Sequence, residues 1–286
     1  DVHAAQEAEG QQVALLRRQA RQRLPQGVLE LRLELPLDLR QLGIGAAQEE
    51  ARWGVGVQGA LAAVAVGGLH GGTGVGLPPA VLFPAMLAVA ALAGALLMAL
   101  PALAKTRFGV DEVVTTLLLN FIVLLFVSMM LDGPMKDPTA MGWPQSVALA
   151  DELQLSKLVE RTRVHTGLVA ALVLAVALKA MLATTTLGFE IRAVGAGPRA
   201  ARFAGMPVGA TTVKVALLSG ALAGLAGAIE VAGRTGYVTL DMSPGYGYSG
   251  IVIAMLAMLD PLAVVAAAVF VAGMLVAETE FKHQVE

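Results

Sequence analysis

Apolar residues come in long unbroken runs after Trp53 and in short scattered ones before it. A helix needs about 20 residues to cross a hydrocarbon layer ~30 Å thick. By that measure residues 78–104, 113–131, 167–183 and 213–233 read as spanning helices. A shorter, weaker candidate covers residues 54–69. The run at 249–277 is broken by Asp260-Pro261, which predicts a re-entrant half-helix near 249–260 followed by a true span. Pro84 and Pro101 are kink points, and Lys179 stands near one end of its span, where it can snorkel. Nothing alternates with period two. The expected fold is an all-α integral membrane protein, a polytopic bundle of five to six spans rather than a barrel.

Charge sharpens this picture. The chain is 56% hydrophobic and 15% charged, with net charge −2, whereas soluble domains carry roughly 25% charged residues. Residues 1–53 hold 15 of the 42 charges, leaving about 12% over the rest. So few charges cannot cover a water-facing surface. Disorder, a disulfide scaffold and nucleic-acid binding are excluded, the last for want of a basic excess. With no cysteine, no disulfide or thiolate-held metal is available.

Lys/Arg bias sets the orientation. Arg192, Arg199, Arg202 and Lys214 face a single acid, Glu190, across 184–214, which places that segment in the cytoplasm together with Lys105 and Arg107. The 132–165 and 234–248 loops are then external. Three parts follow: an atypical polar segment at 1–53, a transmembrane domain at 54–277, and a cut-short tail at 278–286. The first part is either a cytosolic amphipathic tail or sequence out of frame with the gene. The chain is expected to be a piece of a longer subunit.

Three segments carry candidate function. In the first, TTTLGFEIRAVGAGPRAARFAGMPV (184–208), Gly188, Gly195 and Gly197 read as breaks. Pro198 occupies a first helical position and Gly205 a C-terminal cap, so RAARFA between them forms about two helical turns. A short helix lying across the cytoplasmic face either receives force from a soluble partner or is an ordinary positive-inside loop. In the second, Glu112, Thr116 and Asn120 fall at i, i+4 and i+8, one stripe on one helix face. That stripe either lines a path for a polar solute or supplies hydrogen bonds between helices. In the third, Gly220, Gly224 and Gly227 form a small-residue face for close helix packing.

Catalytic chemistry has little support. The four histidines, at 3, 70, 165 and 283, are scattered without metal-ligand spacing, so no catalytic or metal site is expected. The chain also lacks a GxxxxGK[ST] loop, so energy from ATP would have to come from another subunit.

The strings GVDEVVTTLLLN, TTLGFEIRAVGAGPRAARFAGMPV, LSGALAGLAGAIEV and GYGYSGIVIAMLAMLDPLAVV resemble the permease subunit of ATP-binding-cassette importers in the branched-chain amino acid/simple sugar/nucleoside group. They are most similar to its nucleoside and simple-sugar subgroup, and the resemblance runs over about 54–277. It implies that Gly188, Arg192, Gly195, Pro198, Arg199, Ala201, Arg202 and Gly205 belong to the segment that docks on the ATPase. It implies further an ATP-binding-cassette ATPase subunit that binds ATP and Mg, a second permease chain, and an external substrate-binding protein. The chain itself would hold no cofactor and catalyse no reaction, and would sit in the bacterial inner membrane. Gly197 departs from the family, which more often has Asn there, and VGVQGAL at 55–61 is only faintly similar to the family's NIGxEGQ-like stretch. From the residues alone, two other functions compete. One is a secondary transporter or channel using the polar stripe. The other is a non-transporting membrane scaffold.

Overall fold

Proline and glycine mark where the helices begin and end. The computed structural model describes residues 78–158, 164–240, 242 and 246–285, so residues 1–53 and the candidate span at 54–69 lie outside the described residues. Helix α1 (Pro79–Phe108) opens with Pro79 in its first turn and closes on Gly109 at φ 67°, whose amide donates to the Lys105 carbonyl at 3.0 Å. Both Pro84 and Pro101 fall inside it. Helix α2 (Glu112–Asp132) starts on an acid, which complements the positive end of its dipole. Helix α3 (Gly167–Thr184) runs back the other way.

The segment expected to be broken at Gly188 and Gly195 is instead a continuous helix, α4 (Thr186–Ala196). Its first turn is capped by the Thr185 hydroxyl, which accepts from the Gly188 amide at 3.0 Å. That cap offsets the low helical propensity of the two glycines. Helix α5 (Pro198–Phe203) has Pro198 at its start as expected, and Gly205 follows its end at φ 82°. Helix α6 (Val208–Glu230) continues into a π-helical turn, Val231–Thr235, closed by Gly236 at φ 72°.

The last run divides at the expected place. Helix α7 (Tyr246–Leu256) ends in a turn with Met258 and Leu259 at φ 51° and 61°, and α8 (Pro261–Val285) follows. Lys179 pairs with Asp260 at this break, and the same carboxylate caps α8 by accepting from the Leu262 amide at 2.9 Å.

Four described helices are long and apolar enough to cross a membrane: Pro79–Phe108, Val114–Asp132, Gly167–Thr184 and Val208–Thr235. Pro261–Ala277 is a shorter apolar one. Strands are absent among the described residues, apart from isolated bridges. Large apolar side chains such as Leu96, Leu100, Leu118, Leu125 and Phe270 face outward, as the lipid-facing surface of a bundle requires.

Helices α1 and α6 make the most extensive contact. A Cβ added at Gly220 or Gly224 would overlap the carbonyl oxygens of Gly94 and Ala90 on α1, so the two backbones touch. Gly227 is buried on the same helix. At the end away from Lys105 and Arg107, the described part of the loop after α2, residues 133–158, folds over the bundle. Leu149 and Leu153 bury against Leu82, Met86, Ala90, Ala228 and Ala232. The Leu155 amide donates to the Ala232 carbonyl at 2.8 Å and the Leu149 amide to the Gly236 carbonyl at 2.7 Å. Within this loop, the Thr139 hydroxyl and amide both donate to Asp137 and hold its carboxyl below the usual carboxylate range.

Candidate functional site

The basic ends of α1, α2, α4 and α6 enclose a cavity of about 280 Å³, close to the lower bound of ~300 Å³ for small-molecule pockets. Helix α1 contributes Met98, Pro101 and Ala102, and α2 contributes Glu112 and Thr116. Ile191, Val194 and Gly195 come from α4. Thr211, Thr212, Val215, Ala216 and Ser219 come from α6. The lining mixes apolar side chains with four hydroxyls and a carboxylate.

Glu112, Thr116, Thr211 and Thr212 are each held by a local bond. Glu112, with its side chain 13% exposed, pairs with Lys105 at 2.5 Å. Thr116 donates to the Glu112 carbonyl at 2.7 Å and Thr212 to the Val208 carbonyl at 2.9 Å. Thr211, 1% exposed, has the Pro207 carbonyl and a Glu190 carboxylate oxygen each at 3.1 Å. A threonine that donates its one proton to the preceding turn keeps an oxygen that still accepts. The hydroxyl oxygens of Thr211 and Thr212 and the Glu112 carboxylate therefore suit a solute rich in hydroxyl or N–H donors.

The stripe on α2 changes character along its length. Glu112 and Thr116 line the cavity, while Asn120 is not among its lining residues. The Asn120 Oδ1 is buried without a hydrogen-bond partner. Beyond it the same face carries Val123, Val127 and Leu131, packed with Val231, Val238 and Met242. The polar route thus ends one turn past Thr116, against an apolar plug.

Of the residues expected to dock a partner, Arg192, Arg199, Arg202, Pro198 and Gly205 are exposed, and Gly188 and Ala201 are buried. Gly195 joins the cavity. The buried position of Gly188 has a steric cause: a Cβ there would overlap the Met181 and Leu182 backbone at the α3–α4 corner. The residues missed from sequence are Thr211, Thr212, Ser219 and Glu190. Thr211, Thr212 and Ser219 recur at roughly helical spacing in VGATTVKVALLSG, the signal from which they were legible. Among the described residues no group of three His, Cys, Asp or Glu is placed to hold a metal ion.

A family model described as branched-chain amino acid transport system / permease component matches residues 51–283. The chain is similar to a glucose ABC transporter permease protein of Haloferax volcanii, 34% identical over 85% of this chain and 66% of that protein. It is also similar to a guanosine ABC transporter permease protein of Bacillus subtilis, 32% identical over 84% of this chain and 69% of that protein. A nucleoside ABC transporter permease protein of Lactococcus lactis is 28% identical over 67% and 55%, respectively. The chain thus spans about two thirds of the first two relatives and just over half of the third. No solved structure matches it.

Proposed function

Because the chain belongs to the branched-chain amino acid transport permease family, we propose that it is a permease subunit of an ATP-binding-cassette importer. It carries nucleosides or simple sugars inward across the bacterial inner membrane by alternating access. Hydrolysis belongs to a separate ATPase subunit that binds ATP and Mg. A second permease chain and an external substrate-binding protein complete the assembly. Relatives named for glucose, guanosine and nucleosides support this solute class.

One observation carries the mechanism. Helix α4 presents exposed Arg192 outward and contributes Ile191, Val194 and Gly195 to the cavity wall. An ATPase docked on α4 and α5 would move that wall directly, with no intermediate element. Glu112, Thr116 and Asn120 form the inner end of the solute path, and the apolar side chains of the lining accommodate a base or a sugar face. Val123, Val127 and Leu131, packed under the external loop, close the path on the far side. The conformation is then one that faces the cytoplasm.

Uptake by proteoliposomes containing the full-length permease, its ATPase and its binding protein tests this. Radiolabelled guanosine and glucose are offered in parallel, and uptake of at least one should require ATP and the binding protein. Uptake driven by an ion gradient without ATP would overturn the importer and establish an ion-coupled carrier.

A further inference from the structure

We infer that Glu190 and Thr211 form a latch that makes α4 and the cavity wall move as one, so that Glu190 is a positioning residue for coupling ATP hydrolysis to transport. The inference rests on the importer function proposed above and assigns the coupling to one bond within it.

The geometry is that of a lever. At its start α4 is pinned by the α3–α4 corner, where the Thr185 cap and the absence of a Cβ at Gly188 hold two backbones in contact. Toward its other end it carries the exposed Arg192 and leads into α5 with Arg199 and Arg202. Glu190 lies near the pivot, half-buried, with its carboxylate turned to α6. Among the described residues, its bond from Thr211 at 3.1 Å is the only side-chain hydrogen bond joining α4 to α6. The other α4 residues at the cavity, Ile191, Val194 and Gly195, offer only van der Waals contact, which allows sliding.

Thr211 is the right partner for such a role. It is 1% exposed, so leaving its hydroxyl unpaired would be costly. Its one proton has two acceptors at equal distance, the Glu190 carboxylate on α4 and the Pro207 carbonyl of its own helix. The proton can pass from one to the other without leaving a buried donor unpaired. When α4 swings away, Thr211 turns back to Pro207, and when α4 returns, Glu190 recaptures it. The arrangement has two discrete states, as a coupling element requires.

The test measures ATP hydrolysed per solute imported in proteoliposomes holding the full-length permease with its ATPase and binding protein, using guanosine and glucose as probes. Glu190→Leu and Thr211→Val should each raise that ratio by at least about fivefold, the lower end of typical allosteric coupling. The ATPase subunit should still copurify in wild-type amounts. Glu190→Gln and Thr211→Ser keep an acceptor and a donor, and should stay near the wild-type ratio. The double variant should be no worse than either single one, because both remove the same bond. An unchanged ratio in an intact Glu190→Leu complex overturns the latch. So does an effect confined to Thr211→Val, which would assign the role to the Pro207 bond. Should Glu190→Leu fail to assemble, Glu190→Ala takes its place beside Thr211→Val, a wild-type ratio in either overturning the latch. A wild-type complex that neither hydrolyses ATP nor imports solute overturns the importer itself, a result distinct from any of these.

Discussion

Gly188 and Gly195 lie two turns apart on α4 and look alike in the sequence, yet the structure asks different things of them. A methyl at Gly188 would overlap backbone atoms of Met181 and Leu182, which cannot move without opening the α3–α4 corner. At Gly195 nothing lies within 4 Å of the Cβ position. Gly188→Ala is therefore expected to cost about 1–3 kcal/mol, the usual range for overpacking. Gly195→Ala should leave the melting temperature in detergent unchanged. Any loss of transport in the second variant then reports on the cavity or on docking, not on folding. The same contrast explains why Gly220 and Gly224 were legible as packing residues from their spacing alone. A small-residue pair four apart on an apolar helix has one dominant physical use, whereas a glycine in a polar loop has several.

Among the helices, one junction between elements far apart in the chain is ionic. Helix α3 meets α8, and the Lys179–Asp260 pair lies at that junction, beside the turn that holds Met258 and Leu259 in left-handed backbone. Such backbone is costly for residues with side chains and persists only where its surroundings enforce it. Asp260→Asn removes the ion pair but keeps an oxygen to accept from Leu262, whereas Asp260→Ala removes both. Amide exchange at Leu262 and Ala263 should thus rise slightly in the first variant and strongly in the second. Lys179→Met should match the first, and wild-type exchange in both would show that the pair holds nothing in place. The spans themselves were legible because twenty apolar residues in a row admit only one stable solution in a bilayer. Helix α4 was not, because its stability comes from the Thr185 cap and from seating against α6 rather than from its own composition.

In the molecule as a whole, polar and apolar positions divide by depth. Hydroxyls and a carboxylate gather at the basic end, and a valine-rich cluster fills the opposite end beneath the loop after α2. Val127 is fully buried in that cluster, in line with Glu112, Thr116 and Asn120 on the same helix. If the cluster closes the solute path, Val127→Ser should admit water and solute past it. Passive leak of guanosine or glucose from proteoliposomes without ATP would then rise above the wild-type rate. A leak at the wild-type rate would show that the route does not run between α2 and α6.

The order of residues alone determined that this chain is a helical membrane protein and where most of its spans lie, and it gave an expectation for which end faces the cytoplasm. Those properties follow from run length, from the need to satisfy every backbone polar group in lipid, and from Lys/Arg bias, none of which depends on distant contacts. The family was legible for the same reason, carried by strings that keep their order along the chain. Only the tertiary structure decided that the stripe on α2 meets α4 across a cavity, that Lys179 pairs with Asp260, 81 residues away, and that Glu190 bonds Thr211. Each of these is a meeting of side chains from separate helices. Hydrophobic periodicity says which face of a helix turns inward, but it carries no information on which other face will meet it there.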